Sequence, residues 1–192
     1  MKGATVKPPT LYLMVGIPAS GKTTWASRYF RPPVQVIHLD RIRHSVYGLI
    51  PQTLDNGLES RVWSLAYDQM GQALRNGVSV VLDSMALTRA WRERHVREAD
   101  RRAGSRVRRV VIFLDTPISI ALSRNARRNK VVLAQTVRAM AGHLEPPTGE
   151  EGFDELVYVT PKGPAAGRFR TEPPRPISRR RESGSGTSPP LG

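Results

Sequence analysis

The chain has no cysteine. Disulfides and cysteine-ligated zinc are therefore excluded, and nothing in the sequence calls for an oxidising compartment. Long apolar runs are missing as well. No stretch approaches the roughly 20 residues needed to span a bilayer, and Gly3 to Pro9 lacks the apolar core of a signal peptide. The expectation is a cytoplasmic protein with no membrane role. Acidic side chains are scarce: 16 Asp and Glu stand against 30 Lys and Arg, a formal charge of +14 over 192 residues. Such an excess points either to an anionic partner such as nucleic acid or to a solvated arginine-rich surface. Residues 161–192 carry +5 of it, which leaves +9 on residues 1–160, so the part expected to fold is itself basic. Of the four histidines, His44, His95 and His143 lack metal-ligand spacing, and His38 sits inside a strand pattern as a structural residue.

Apolar residues make up 39% of the chain, enough to bury the core of one domain of ordinary size. Its organising stretch is Gly16-Ile17-Pro18-Ala19-Ser20-Gly21-Lys22-Thr23, directly after the apolar run Leu11 to Val15. This spacing is that of a P-loop. The glycines let the backbone turn its N–H groups toward a phosphate, Lys22 reaches the β and γ phosphates, and the Thr23 hydroxyl ligates Mg²⁺. Thr24 to Phe30 continues as a helix whose N-terminal dipole adds to the anion site. Gly16, Pro18, Ala19, Ser20, Gly21, Lys22, Thr23 and Thr24 are thus the candidate ATP-binding residues, with Mg²⁺ as the accompanying cation.

Four further strands follow by pattern: 34–39, 78–82, 110–114 and 156–159. Helices are expected over 40–47, from Leu58 to Leu74, from Thr88 to Ala103, from Pro117 to Arg128, and over 132–143. Strands alternating with helices imply parallel βαβ units, an α/β fold. Residues 1–10 read as a loose N-terminus, 11–160 as the folded domain, and 161–192 as a disordered basic tail rich in Pro, Gly, Ser and Arg.

In an open parallel sheet, ligands bind beyond the carboxyl ends of the strands. The P-loop, Asp40, Asp83 and Asp115 all fall on that rim. Asp40 and Arg43 are three apart at a helix start, so an acid able to take a proton from an attacking hydroxyl shares a face with a cation able to hold a substrate phosphate. Their ordinary alternative is an N-cap beside a surface arginine, and the P-loop on the same rim favours the catalytic reading. Asp83 closes a buried strand, where an acid commonly holds Mg²⁺ through its water shell, although a turn or cap would suit it too. Asp115-Thr116-Pro117 is well explained as a helix start. Arg124 and Arg128 are expected on one helical face, able to close over a transferring phosphoryl group; a solvated arginine face is the alternative. Arg101, Arg102, Arg106, Arg108 and Arg109 carry no such spacing and either line a nucleic-acid path or face water. Trp25, Trp63 and Trp91 lie in helical patterns and read as packing rather than as base-stacking platforms.

Four stretches then form one combined pattern: Gly16 to Thr24, Asp40-Arg41-Ile42-Arg43, Arg124-Asn125-Ala126-Arg127-Arg128, and Glu145-Pro146-Pro147-Thr148-Gly149-Glu150-Glu151-Gly152-Phe153. In these the chain resembles the P-loop 5′-hydroxyl polynucleotide kinases, of the bacteriophage type and of the kinase half of the polynucleotide kinase-phosphatases. The resemblance implies a P-loop NTPase fold with a five-stranded parallel sheet of order 2-3-1-4-5 and helices on both faces. It further implies ATP and Mg²⁺ at Lys22 and Thr23, Asp40 as general base, Arg43 on a substrate phosphate, Arg128 as the lid arginine with Arg124 as a second, and often a homo-oligomer. Where the family often has Asp-Thr-Asn, this chain has Asp83-Ser84-Met85. No Asp-x-Asp-x-Thr phosphatase motif occurs, so phosphate removal is not expected. Small-molecule and toxin kinases share the P-loop and lid and form the alternative substrate class. A nucleic-acid-binding module that uses ATP only as a regulator is the third reading.

Overall fold

The computed structural model describes residues 8–48, 56–161 and 169–171. In chain order the elements are β1 (Thr10–Val15), α1 (Lys22–Tyr29), β2 (Gln35–His38), α2 (Leu39–Tyr47), α3 (Asn56–Arg75), β3 (Val80–Asp83), α4 (Arg89–Ala103), β4 (Arg108–Leu114), α5 (Ile118–Asn125), α6 (Ala134–Gly142), β5 (Glu155–Pro161) and β6 (Phe169–Thr171). One sheet runs β2-β3-β1-β4-β5-β6. Its first five strands are parallel, in the expected order 2-3-1-4-5. Strand β6, which the sequence reading did not expect, pairs antiparallel with β5. The rest of the expected basic tail and of the N-terminus, and the link at 49–55, lie outside the described residues. Among those described, no helix is long and apolar enough to cross a membrane.

From Leu11 onward strand β1 is an apolar run because both its faces are covered. Leu11, Leu13 and Val15 enter a core built with α2, α3 and α4, while Met14 enters a second core with Trp25 and Ala26 of α1. Helices on both faces follow directly. The caps of α4 are those its sequence calls for: the Thr88 hydroxyl accepts a hydrogen bond from the Trp91 N–H, and Gly104 ends the helix at φ 73°, where a side chain would be strained.

Helix α5 is shorter than expected, ending at Asn125. The Asn125 side chain is buried and spent on the chain seven residues on: its Nδ2 donates to Val132 O at 2.6 Å, and its Oδ1 accepts from Val132 N at 3.1 Å. That clamp turns 126–131 into a loop. Arg128 therefore lies past the helix, not one turn above Arg124 on its face.

The stretch from Glu145 to Phe153 fastens the rim. Arg92 and Glu151 form a bidentate pair, Nε to Oε2 and Nη2 to Oε1 both at 2.6 Å, with side chains 0% and 2% exposed. Arg92 Nη1 also donates to the carbonyls of Ala86, Leu87 and Glu145. The loop after β3 is thus pinned to the segment before β5, and Phe153 anchors that segment in the core.

Candidate active site

The loop that follows β1 owes its shape to backbone freedom at two glycines. Gly16 has φ 149° and Gly21 has φ 105°. A Cβ built on Gly16 would stand 2.8 Å from Ser20 Oγ and 3.1 Å from Leu114 O, so no side chain fits there. The Gly16 N–H donates to Met85 O, which ties the loop to the turn after β3. In that turn Ser84 Oγ is buried with no hydrogen-bond partner in the structure.

Lys22, the first residue of α1, curls back over the loop. Its ammonium donates to Gly16 O at 2.8 Å and Ile17 O at 2.9 Å. Burial pushes its pKa down to about 8; the Asp83 carboxylate opposes this, Arg128 adds to it, and Asp40 opposes it. Three charges from three different segments therefore act on one ammonium. Thr23 Oγ1 donates to Asp83 Oδ2 at 2.7 Å, and His38 Nδ1 lies 2.8 Å from the same oxygen. Burial would raise the Asp83 pKa, but the hydrogen bonds from His38 and Thr23 and the charge of Lys22 outweigh it and hold the carboxyl below its usual range. With Asp83 ionised, His38 Nδ1 carries the proton and donates. His38 and Asp83 are register partners in the β2–β3 ladder, so the sheet itself sets them side by side.

Asp40 stands in the first turn of α2 with its side chain 61% exposed. Arg43 Nη1 donates to Asp40 Oδ1 at 2.7 Å, as the three-residue spacing predicts. The rest of the guanidinium goes to Glu59 of α3: Nη2 to Oε1 at 2.5 Å and Nε to Oε2 at 3.2 Å. Burial opposes the charge on Arg43, but Glu59 and then Asp40 outweigh it and raise its pKa. Glu59 was not among the expected site residues, because no local spacing relates it to Arg43 across 16 positions.

Arg124 Nη1 and Thr116 Oγ1 both donate to Ser20 O, at 3.0 and 3.1 Å. Arg124 Nε and Nη2 are buried without a partner in the structure, and burial lowers its pKa. Helix α5 starts at Ile118 with Pro117 as its N-cap and no side-chain cap, which leaves Thr116 free for the loop instead of the helix start read from sequence.

The arginines from Arg101 to Arg109 lie at the other end of the strands. Arg101 and Arg102 pair with Glu98, Arg106 with Asp154, Arg108 with Glu155 and Arg109 with Asp100. They brace the start of β4 and take no part in the rim. Trp25 is packed as expected, 6% exposed, whereas Trp91 is 40% exposed and stacked on Trp63.

The donor set suits a nucleotide and its cation. Thr23 and Asp83 offer hard oxygen ligands, as Mg²⁺ requires, while the glycine-only approach at Gly16 and the two unpartnered Arg124 donors suit an anion seated against the loop. Among the described residues no group of three or more His, Cys, Asp or Glu could hold a metal unaided.

A family model described as an AAA domain matches residues 11–147. No curated protein matches the sequence. Among solved structures, a chain of a Pnkp1/Rnl/Hen1 RNA repair complex aligns with a TM-score of 0.60 at 19% identity, covering 75% of this chain and 46% of that one. The present chain thus spans under half the length of that relative. A gluconokinase from Sinorhizobium meliloti aligns with a TM-score of 0.50 at 20% identity, over 80% of this chain and 83% of the other. The Mycobacterium tuberculosis APS kinase in complex with AMPPNP and APS gives 0.52 at 16%, over 82% and 91%.

Proposed function

Because the chain belongs to the AAA domain family, its match running from β1 to Pro147, we propose that it is a P-loop phosphotransferase that moves the γ-phosphoryl group of ATP to the 5′-hydroxyl of a polynucleotide. The observation that carries this reading is the geometry of the rim: Lys22 is folded over the loop carbonyls, Thr23 and His38 meet on Asp83, and Asp40, held by Arg43, follows His38 at the start of α2. In this reading Lys22 is the anion-binding cation, Asp83 the metal-side acid, Asp40 the acceptor-side acid and Arg128 the lid arginine.

Lys22, the loop N–H groups and Arg124 bind and orient the triphosphate, which exchanges the neutral carbonyls now facing the Lys22 ammonium for anionic oxygens. A bound Mg²⁺ would supply positive charge to offset that developing on the transferring phosphoryl group. Thr23, through its hydroxyl oxygen, and Asp83, through the metal's water shell, would be the residues that hold it. Asp40 takes the proton of the acceptor hydroxyl as that oxygen bonds to the γ phosphorus and the bond to the β-bridging oxygen breaks. Arg43, held by Glu59, fixes the Asp40 carboxylate and keeps donors for an acceptor phosphate. Arg128 closes from the loop after α5.

Support for a polynucleotide acceptor comes from the basic domain, the four matched stretches and the likeness to a chain of an RNA repair complex. The test is a substrate panel with labelled ATP and Mg²⁺. A 5′-hydroxyl oligonucleotide is expected to be labelled, with an acceptor KM that rises steeply with salt because phosphate contacts release counterions. Labelling of a small hydroxylated metabolite alone, with little salt dependence, assigns the acceptor to the gluconokinase-like class instead.

The Lys22 environment sets the pH response. With its pKa at about 8 in the folded protein, against an ordinary 10.5, the ammonium loses its proton as pH rises through 8. ATP affinity is therefore expected to weaken across that range in direct binding titrations, and Lys22→Arg to flatten the dependence. Stability runs the other way: between 8 and 10.5 the unfolded chain binds more protons at this residue, so the contribution of Lys22 to stability rises with pH and is lost as pH falls back through 8.

A further inference from the structure

The acceptor side of the rim continues into an aromatic stack. On α3, Glu59 and Trp63 are four residues apart and so lie on one face, about 6 Å along the helix. Trp63 stacks on Trp91 of α4, ring centroids 5.6 Å apart and planes at 27°, and on His95, 4.8 Å and 25°. Tyr67, one further turn along α3, is hydrogen-bonded through its hydroxyl to His95 Nδ1 at 2.9 Å. Burial, helped by Arg94, pushes the His95 pKa down to about 3, so this ring is neutral at physiological pH. Tyr67 and His95 are buried, Trp63 is half-buried, and Trp91 closes the stack with 40% of its surface exposed.

One cation lies over that exposed indole. The Arg94 guanidinium lies 5.3 Å from the Trp91 ring centroid, and the Arg94 side chain is itself exposed on α4. A tryptophan serving only the core would be covered, as Trp25 is at 6%. Here a rigid aromatic pair is carried to the surface beside Arg94, on the helix whose Glu59 holds Arg43. That combination is what single-stranded nucleic acid needs, since any base can stack on an indole and the backbone follows positive charge.

We propose that Trp91, supported by Trp63 and His95 and flanked by Arg94, is a stacking platform for a nucleobase of the single-stranded polynucleotide acceptor, downstream of the 5′ end presented to Asp40. Arg94 covers the indole when no base is there. A base exchanges with it and hands the guanidinium to an adjacent phosphate. This placement rests on the polynucleotide-kinase reading above, but the binding it describes can be measured without turnover.

The test uses the full chain, an oligothymidylate, and a strand of equal length and charge made of abasic nucleotides. Oligothymidylate is expected to quench tryptophan fluorescence and to bind about five-fold or more tighter than the abasic strand, the range of one base stacked on an aromatic ring. Trp91→Ala is expected to erase that difference, Trp91→Phe to keep most of it, and Arg94→Gln to reduce the salt dependence. In turnover, Trp91→Ala narrows the kcat/KM preference for an oligonucleotide over a nucleoside 3′-monophosphate by a similar factor.

Equal affinity for the two strands, or an unchanged preference in a Trp91→Ala protein with wild-type melting behaviour, overturns the platform while oligonucleotide phosphorylation still upholds the kinase reading. Base-dependent binding that is lost in Trp91→Ala, with no phosphorylation of any polynucleotide, upholds the platform and overturns the kinase reading. Self-association that depends on Trp91, without strand binding, makes this face a protein interface and overturns the proposal.

Discussion

Asp40→Asn is expected to lower kcat for phosphoryl transfer by about 10²- to 10⁴-fold, the contribution of a positioned general base, with ATP affinity unchanged. An amide is nearly isosteric with the carboxylate and can still accept the hydrogen bond from Arg43, but it cannot take the acceptor proton. Folding should be little affected, because the Asp40 side chain is 61% exposed and Arg43 keeps both contacts to Glu59. Steady-state kinetics with a saturating acceptor, set beside a nucleotide-binding titration, checks both halves. Unchanged kcat would move the base to another residue. Retained ATP and oligonucleotide binding in a protein that shows no turnover before any substitution would favour the ATP-regulated binding module.

The second large effect concerns stability. Arg92→Leu leaves the Glu151 carboxylate, 2% exposed, without its bidentate partner, and strips three loop carbonyls of a donor. Breaking a buried pair from one side costs about 3–5 kcal/mol, or roughly 10 °C in Tm for a domain of this size. Replacing both members by leucine should recover part of that loss, because no buried charge then remains. Calorimetric melting of the two variants separates the cases: equal losses would mean that the carbonyl contacts matter more than the charge pair. Since Arg92 pins the loop after β3, a weakened ATP affinity in Arg92→Leu below its melting range is a second expected readout.

What could be read from the chain followed from how far apart the cooperating residues lie. The P-loop is contiguous, and its glycines, Lys22 and Thr23 act through geometry that eight residues set by themselves. Asp40 and Asp83 were legible as rim acids because each ends an apolar strand, and the side of the sheet follows from parallel order. Arg43 with Glu59 and Arg92 with Glu151 were not, being separated by 16 and 59 positions and brought together only by packing. Arg128 was placed on a helix because nothing in the local pattern signals that the Asn125 amide will reach forward to Val132. His38 looked structural for a sound reason, as it does end a strand, but its neighbour across the ladder is Asp83. Trp91 falls on a helical period with His95, which reads as core; only the packing of α4 on α3 shows that the stack runs out into solvent.

The pairing of His38 with Asp83 has a consequence for how such a site tolerates change. One residue, Leu39, separates His38 from Asp40, and the ladder sets His38 opposite Asp83. The backbone of two neighbouring strands therefore works as a ruler between the acid beside Thr23 and the acid proposed to meet the acceptor. Helices α2 and α3 can be resurfaced to admit a different alcohol without altering that span, whereas sliding β2 by one residue would turn His38 to the opposite face and carry Asp40 along the rim, and no side-chain substitution could restore the spacing.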